Sequence, residues 1–208
     1  MALKISLGPF TLFVSVAMLA LVPIGGIQMA RLKLLGISGS LRENATNSML
    51  LREGARLFGE CDYTQAKINF PLYDGDDETA NGVPEAVQTL ARQIADADAV
   101  IISTPEYNKG PSGALKNALD WVSRGDHHPW ANKPVAVMSA AAGRAGGERA
   151  QMVLRGFMVP FRPRILQGPE IHLAGSGNAF DDNGQLTGEM YIKDLTALME
   201  SLRTEIAR

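Results

Sequence analysis

The chain has 208 residues, 46% of them hydrophobic, enough for one good core, and a single domain is the expectation. A net charge of −2 and a pI near 5.9 offer no basic face to a nucleic-acid backbone, and the balance is not acidic enough for a highly charged electron carrier. One cysteine, Cys61, excludes an internal disulfide and a cysteine-based metal cluster; His127, His128 and His172 make no zinc-site spacing with thiols or carboxylates.

Residues 1–29 stand apart. Lys4 precedes an apolar run from Phe10 to Val22, closed by Pro23, Ile24, Gly25 and Gly26. Its length suits the core of a signal peptide, about 7–15 residues, and falls short of the roughly 20 residues a membrane span needs. Translation from Met29 instead leads directly into the first strand. A misplaced start, an export signal and an anchor all stay open.

From residue 30 onwards strand-like runs alternate with helical periods. Leu32, Leu34, Leu35 and Ile37 read as a buried strand, and Gly39 lets the chain turn. Leu51, Ala55 and Phe58 mark a helix, and a second strand is expected near Tyr63–Ile68. Pro71 and Asp74–Asp77 read as loop, and Pro84 opens a helix whose Val87, Leu90, Ala91 and Ile94 share one face. Ala99–Ile102 is continuously apolar, as a strand covered on both faces is. Ser112 caps a helix lined by Leu115, Ala118, Leu119 and Val122; His127 and His128 before Pro129 read as loop. Pro134–Met138 is the next strand, Ala140–Gly147 a small glycine-rich loop, and Ala150, Val153, Leu154 and Phe157 a further helix. Ile165–Leu166 and Ile171–Leu173 supply strand material, and a last helix carries Tyr191, Leu195, Leu198, Leu202 and Ile206.

Such alternation implies a parallel sheet with helices on both faces, joined by right-handed crossovers. Five strands favour a three-layer α/β sandwich of flavodoxin-like order 2-1-3-4-5, in which a ligand lies beyond the carboxyl ends of the strands, where the order reverses. The loops after the first, third and fourth strands therefore define the expected site.

The first of these, Ser38 to Asn47, gathers what an anion needs: backbone N–H groups, the hydroxyls of Ser38, Ser40 and Thr46, the Arg42 guanidinium and a helix start at Asn47. No Gly-Lys-Ser/Thr follows, which disfavours nucleotide hydrolysis, and the dinucleotide fingerprint is missing too. The second loop, Thr104–Gly113, is stiffened by prolines; its backbone, with Tyr107 and Asn108, suits the polar edge of a flat heterocycle.

Gly39-Ser40-Leu41-Arg42 followed by Asn47, with Pro105-Glu106-Tyr107-Asn108 and Leu115-Lys116-Asn117-Ala118-Leu119-Asp120-Trp121, resembles the NAD(P)H-dependent FMN reductase family, over residues 31–200. That family includes bacterial quinone, chromate and azo-dye reductases. The resemblance implies FMN, with its phosphate in the loop holding Ser40, Leu41, Arg42, Thr46 and Asn47, and its ring against Pro105, Glu106, Tyr107 and Asn108. It implies NADPH or NADH as reductant, a small-molecule oxidant, and a homodimer or homotetramer. A cytoplasmic reductant makes an export signal functionally odd, which favours the cytoplasm.

Two departures stand out. Ala45-Thr46-Asn47 replaces the family's Ser-x-Asn, and in Ser139-Ala140-Ala141-Ala142 only Ser139 is left to donate to FMN. Gly143 and Gly146-Gly147 keep the family's positions and let the backbone approach the ring. Lys109 and Arg144, flanking the expected ring, are candidates for the extra phosphate of NADPH. Flavin chemistry asks for no nucleophile or acid–base pair from the protein, and none is nominated; Glu106 reads as loop structure ahead of proton donor. Two other readings stay open: an electron carrier with no NAD(P)H reaction of its own, and a flavin-free interaction domain. Met152, Phe157 and Met158 hint at a subunit contact, and Trp121 and Trp130 at either core or the site's rim.

Overall fold

The computed structural model describes residues 31–125 and 128–208. The apolar N-terminal segment and His127 lie outside them. Among the described residues six α-helices and six strands follow one another: β1 (Lys33–Ser38), α1 (Thr46–Phe58), β2 (Asp62–Ala66), α2 (Gly75–Asn81), α3 (Glu85–Asp96), β3 (Ala99–Thr104), α4 (Gly113–Val122), β4 (Pro134–Ala140), α5 (Glu148–Met158), β5 (Arg164–Ile165), β6 (Ile171–Leu173) and α6 (Glu189–Ile206).

Every strand pairing is parallel, and the order is β2-β1-β3-β4-β5, as expected of the flavodoxin-like sandwich. The fifth position corrects the five-strand expectation. Arg164–Ile165 pairs with the start of β4, and Ile171–Leu173 with its end, so two short strands share one place. Between them Gly168 and Pro169 interrupt the run, and proline has no N–H for the ladder.

Alternation along the central strands divides the core in two. Leu35, Ile37, Val100, Ile102, Val135 and Val137 face α3, α4 and α5; Leu34, Ala99, Ile101, Ala136 and Met138 face α1 and α6. The helices packed on the sheet present apolar residues three and four apart to that interior, as Val87, Leu90 and Ile94 do on α3. Both tryptophans belong to the first of these cores, and Met158 is fully buried there. Trp121 is held by its indole N–H, which donates to the Pro71 carbonyl at 2.8 Å.

Two smaller expectations also need correction. β2 ends at Ala66, and the acidic stretch after Pro71 contains a helix, α2, with no buried residue. Its signal is local: Asp74 accepts the Asp76 N–H at 2.9 Å, and Asp76, Asp77 and Glu78 complement the positive end of the turn. A polar helix has no apolar stripe by which periodicity would find it.

Candidate functional site

The carboxyl ends of β1, β3 and β4 converge, and the three loops that leave them meet there. After β1, Ser38 Oγ lies 3.2 Å from both the Ser40 N–H and the Ser40 carbonyl oxygen, bracing the turn. Ser40 Oγ accepts the Arg42 N–H at 3.4 Å. Arg42 and Leu41 are exposed, and Arg42 has no carboxylate partner among the described residues.

The start of α1 is left electrically open. Its N-cap, Ala45, supplies no side-chain oxygen, and its first turn holds no acidic side chain. Among the described residues the N–H groups of Leu41, Thr46 and Asn47 find no acceptor. Unpaired amides at the positive end of a 13-residue helix favour an anion from outside the chain.

Asn47 sits differently from the expected ligand contact. Its side chain is 3% exposed: Oδ1 accepts Ser103 Oγ–H at 2.7 Å and the Ala140 N–H at 3.1 Å, and Nδ2 donates to the Ala140 carbonyl at 2.9 Å. The oxygen is fully engaged and one Nδ2 proton is spent on Ala140, so the backbone N–H is the more open group Asn47 can offer a ligand. Thr46 Oγ1 lies 3.1 Å from Ser176 Oγ.

After β3, Pro105 is buried, and the next residues form a miniature hairpin. Tyr107 and Gly110 exchange backbone hydrogen bonds at 2.9 and 3.1 Å, and Asn108 and Lys109 occupy the turn with φ of 50° and 73°. Positive φ at both central residues is the geometry that follows the right-handed twist of paired strands. Tyr107, Asn108 and Lys109 are exposed, and Ser112 Oγ ties the loop's far end to the first loop by donating to the Gly39 carbonyl at 2.5 Å. Glu106 turns towards the third loop, where its Oε2 accepts the Ala150 N–H at 3.2 Å.

After β4, the loop is cinched from below. Ser139 has no exposure; its hydroxyl donates to the Gly146 carbonyl at 2.6 Å and accepts Gln151 Nε2–H at 2.9 Å. This differs from the expected ligand-facing donor, because the hydroxyl's one proton is spent within the loop. Gly146 explains why no other residue stands there: with φ +60°, its Cβ would lie 2.2 Å from the His172 carbonyl oxygen. The Gly146-Gly147 pair therefore serves approach to β6 and β4. Gly143 faces open space, and Arg144 beside it is exposed.

Two hollows flank the Ser40–Arg42 ridge. One, of about 340 Å³, runs to Tyr107 and the start of α4; the other, of about 280 Å³, runs to Gln65 and Ile68. Larger hollows lie near β5 and the ends of α5 and α6, away from the three loops.

The profile of the NADPH-dependent FMN reductase family matches residues 32–176, which include all three loops. The chain belongs to this family. An NAD(P)H-dependent FMN reductase of Pseudomonas aeruginosa is 39% identical over 179 residues, covering 85% of this chain and 96% of that protein. A quinone reductase of Escherichia coli is 38% identical over 143 residues, 67% of this chain and 76% of its own length. Among solved structures, the flavoenzyme NAD(P)H:(acceptor) oxidoreductase FerB from Paracoccus denitrificans shares the fold at a TM-score of 0.76 with 29% identity, over 84% of this chain and 97% of that one. As a member of the FMN reductase family the chain is a flavin-dependent oxidoreductase, with FMN as cofactor and NAD(P)H as reductant.

The open donor set at α1 suits the phosphate of FMN: a cation, spare amides and two hydroxyls, with no carboxylate in the helix's first turn to compete. Sequence reasoning missed Ser176, 4% exposed, whose N–H donates to the Ala141 carbonyl at 3.1 Å. It missed Gln151 as well. Neither lies in a motif of the three loops, and only the pairing of β6 with β4 brings Ser176 beside α1.

Proposed function

We propose that the chain reduces quinones and related small oxidants by two electrons, at FMN held across the three loops. The observation that carries the placement is the uncapped, uncompensated start of α1 beside the unpaired Arg42. In this reading Ser40, Leu41, Arg42, Thr46 and Asn47 hold the phosphate, Leu41 and Asn47 through their amides. Pro105, Glu106, Tyr107 and Asn108 border the ring on one side and Gly143 on the other, with Ser139 acting from beneath the loop. Bound FMN supplies the capacity to accept a hydride and pass two electrons on. The protein's part is to orient the ring and leave one face accessible. The relatives named quinone reductases support a flat oxidant; a 34% identical relative from a Burkholderia species is a 2-hydroxy-1,4-benzoquinone reductase. Chromate and azo compounds belong to the same proposal.

Lys109 and Arg144 are assigned to the reductant. Both are exposed and neither pairs with a carboxylate among the described residues. Lys109 is held at φ 73°, a conformation lysine enters at a cost of about 1 kcal/mol or more, so something other than backbone preference keeps it there.

The assembly is a homo-oligomer in this proposal. On α5, Met152 is 67% exposed and Val159, just past its end, 70%; with Val153 and Gly156 they form an apolar strip that a second copy would cover. No helix among the described residues is long and apolar enough to cross a membrane. We place the protein in the cytoplasm, where its reductant is, with residues 30–208 as the working domain.

One experiment tests the reading. Protein expressed from Met29 is mixed anaerobically with FMN and NADPH, and its visible spectrum is followed before and after a quinone is added. Bleaching by NADPH and recovery with the quinone are expected. Protein that binds FMN but is not bleached is an electron carrier, and protein that never binds FMN is no flavoenzyme. Expression from Met1 with cell fractionation tests the location.

A further inference from the structure

Helix α5 begins without a cap of its own. Gly147, its N-cap residue, has no side chain and sits at φ 93°. The amide a capping Ser or Asp would take is that of the third helical residue, here Ala150. That amide goes to Glu106, 44 positions earlier, at 3.2 Å. Ala150 is fully buried beneath that contact, so its amide depends on Glu106 for an acceptor.

The same hydrogen bond joins two segments that are otherwise anchored separately. The Ala140–Gly147 loop is fixed from below by Ser139, which holds the Gly146 carbonyl, and by Gln151, whose Nε2 also donates to the Ile171 carbonyl at 2.7 Å. The Tyr107–Gly110 hairpin closes on itself, and its far end is held through Ser112. Between the hairpin's segment and the third loop with the first turn of α5, the Glu106–Ala150 bond is the one hydrogen bond among the described residues.

We propose that Glu106 is a positioning residue, whose carboxylate caps α5 and so fixes the Tyr107–Asn108 turn relative to the loop carrying Gly143. This rests on the reading that the FMN ring lies between those two segments. It assigns Glu106 an acceptor's task and no proton transfer. The two roles separate cleanly, because glutamine keeps an acceptor oxygen and carries no acidic proton.

The test uses the full chain as wild type, Glu106→Ala and Glu106→Gln. FMN affinity is read by quenching of flavin fluorescence, and exchange of the Ala150 amide by NMR on the apoprotein. In Glu106→Ala, Ala150 should exchange at least about tenfold faster and the FMN dissociation constant should rise about tenfold, the scale of one hydrogen bond to a charged acceptor. Glu106→Gln should return both to within about threefold of wild type, the amide being the weaker acceptor. The proposal is overturned if Glu106→Ala matches wild type in either measurement, or if Glu106→Gln is as impaired as Glu106→Ala. A wild type that takes up no FMN overturns the site reading and this inference together, and normal FMN uptake by the wild type shows that any failure belongs to this inference alone.

Discussion

Asn47 stands to Ala140 as a neighbouring strand would, offering an acceptor to its N–H and a donor to its carbonyl. Ala140 needs this because β3 has already ended beside it: Thr104 pairs with Ser139, and Pro105 has no N–H to continue the ladder. One amide therefore extends the sheet by a residue at the point where the strand order reverses, and locks the start of α1 to β3 and β4.

Replacing Asn47 with Asp keeps the shape and removes the donor. The Ala140 carbonyl is left without its partner, and a carboxylate oxygen is set against it. Unfolding of the apoprotein in urea should show a loss of about 1–3 kcal/mol from the orphaned carbonyl alone. FMN binding should weaken in parallel. A variant as stable as wild type would mean that the amide holds nothing together.

Ala45 offers the opposite experiment. Its backbone, at φ −72° and ψ 135°, has the extended geometry of an N-cap, yet it brings no side-chain oxygen. Ala45→Ser should stabilise the apoprotein by about 0.5–2 kcal/mol, since the hydroxyl can take one of the first-turn amides. It also competes for those amides, so the gain in FMN affinity should be smaller than the missing family hydroxyl suggests. Thermal melts with and without FMN separate the two effects.

Much of this was legible in the sequence because the signals were local. Ala99–Ile102 announced a strand covered on both faces, Ser112 capped α4 as its position promised, and the three loops lie where the switch-point rule puts them. What periodicity could not show was which polar groups are already spent. Ser139 and Asn47 look like ligand contacts in a motif, and only their tertiary partners, Gly146 with Gln151 and Ser103 with Ala140, turn them inward. Ser176 was hidden for the converse reason: 130 positions separate it from Thr46, and no local pattern joins them. The split of the fifth strand follows from Gly168 and Pro169, both poor strand formers, but that the two pieces share one position beside β4 is a matter of tertiary pairing.

The glycines of the third loop make a matched pair of controls. A methyl at Gly146 would meet the His172 carbonyl oxygen at 2.2 Å in a left-handed backbone, so Gly146→Ala must move the loop away from β6. It should cost about 1–3 kcal/mol of stability from the backbone conformation alone, more with the clash, and FMN binding with it. A methyl at Gly143 meets no protein atom within 4 Å. Gly143→Ala should leave the apoprotein's melting unchanged or slightly raised, so any weakening of FMN binding reports contact with the ring itself. Unaltered binding would remove Gly143 from the site.

Lys109 permits a sharper test of the reductant's phosphate than removal of charge alone. In a turn with positive φ at both central residues, the second of them is a place glycine fills without strain. Lys109→Gly should therefore raise stability by about 0.5–1 kcal/mol while removing the ammonium. If that ammonium meets the phosphate that distinguishes NADPH from NADH, the KM for NADPH should rise several-fold and that for NADH should stay where it is. Combining the change with Arg144→Ala should erase the preference. A stabilised hairpin with an unchanged ratio of the two KM values would mean that the strained lysine serves some other end, and that the selectivity lies elsewhere on the rim.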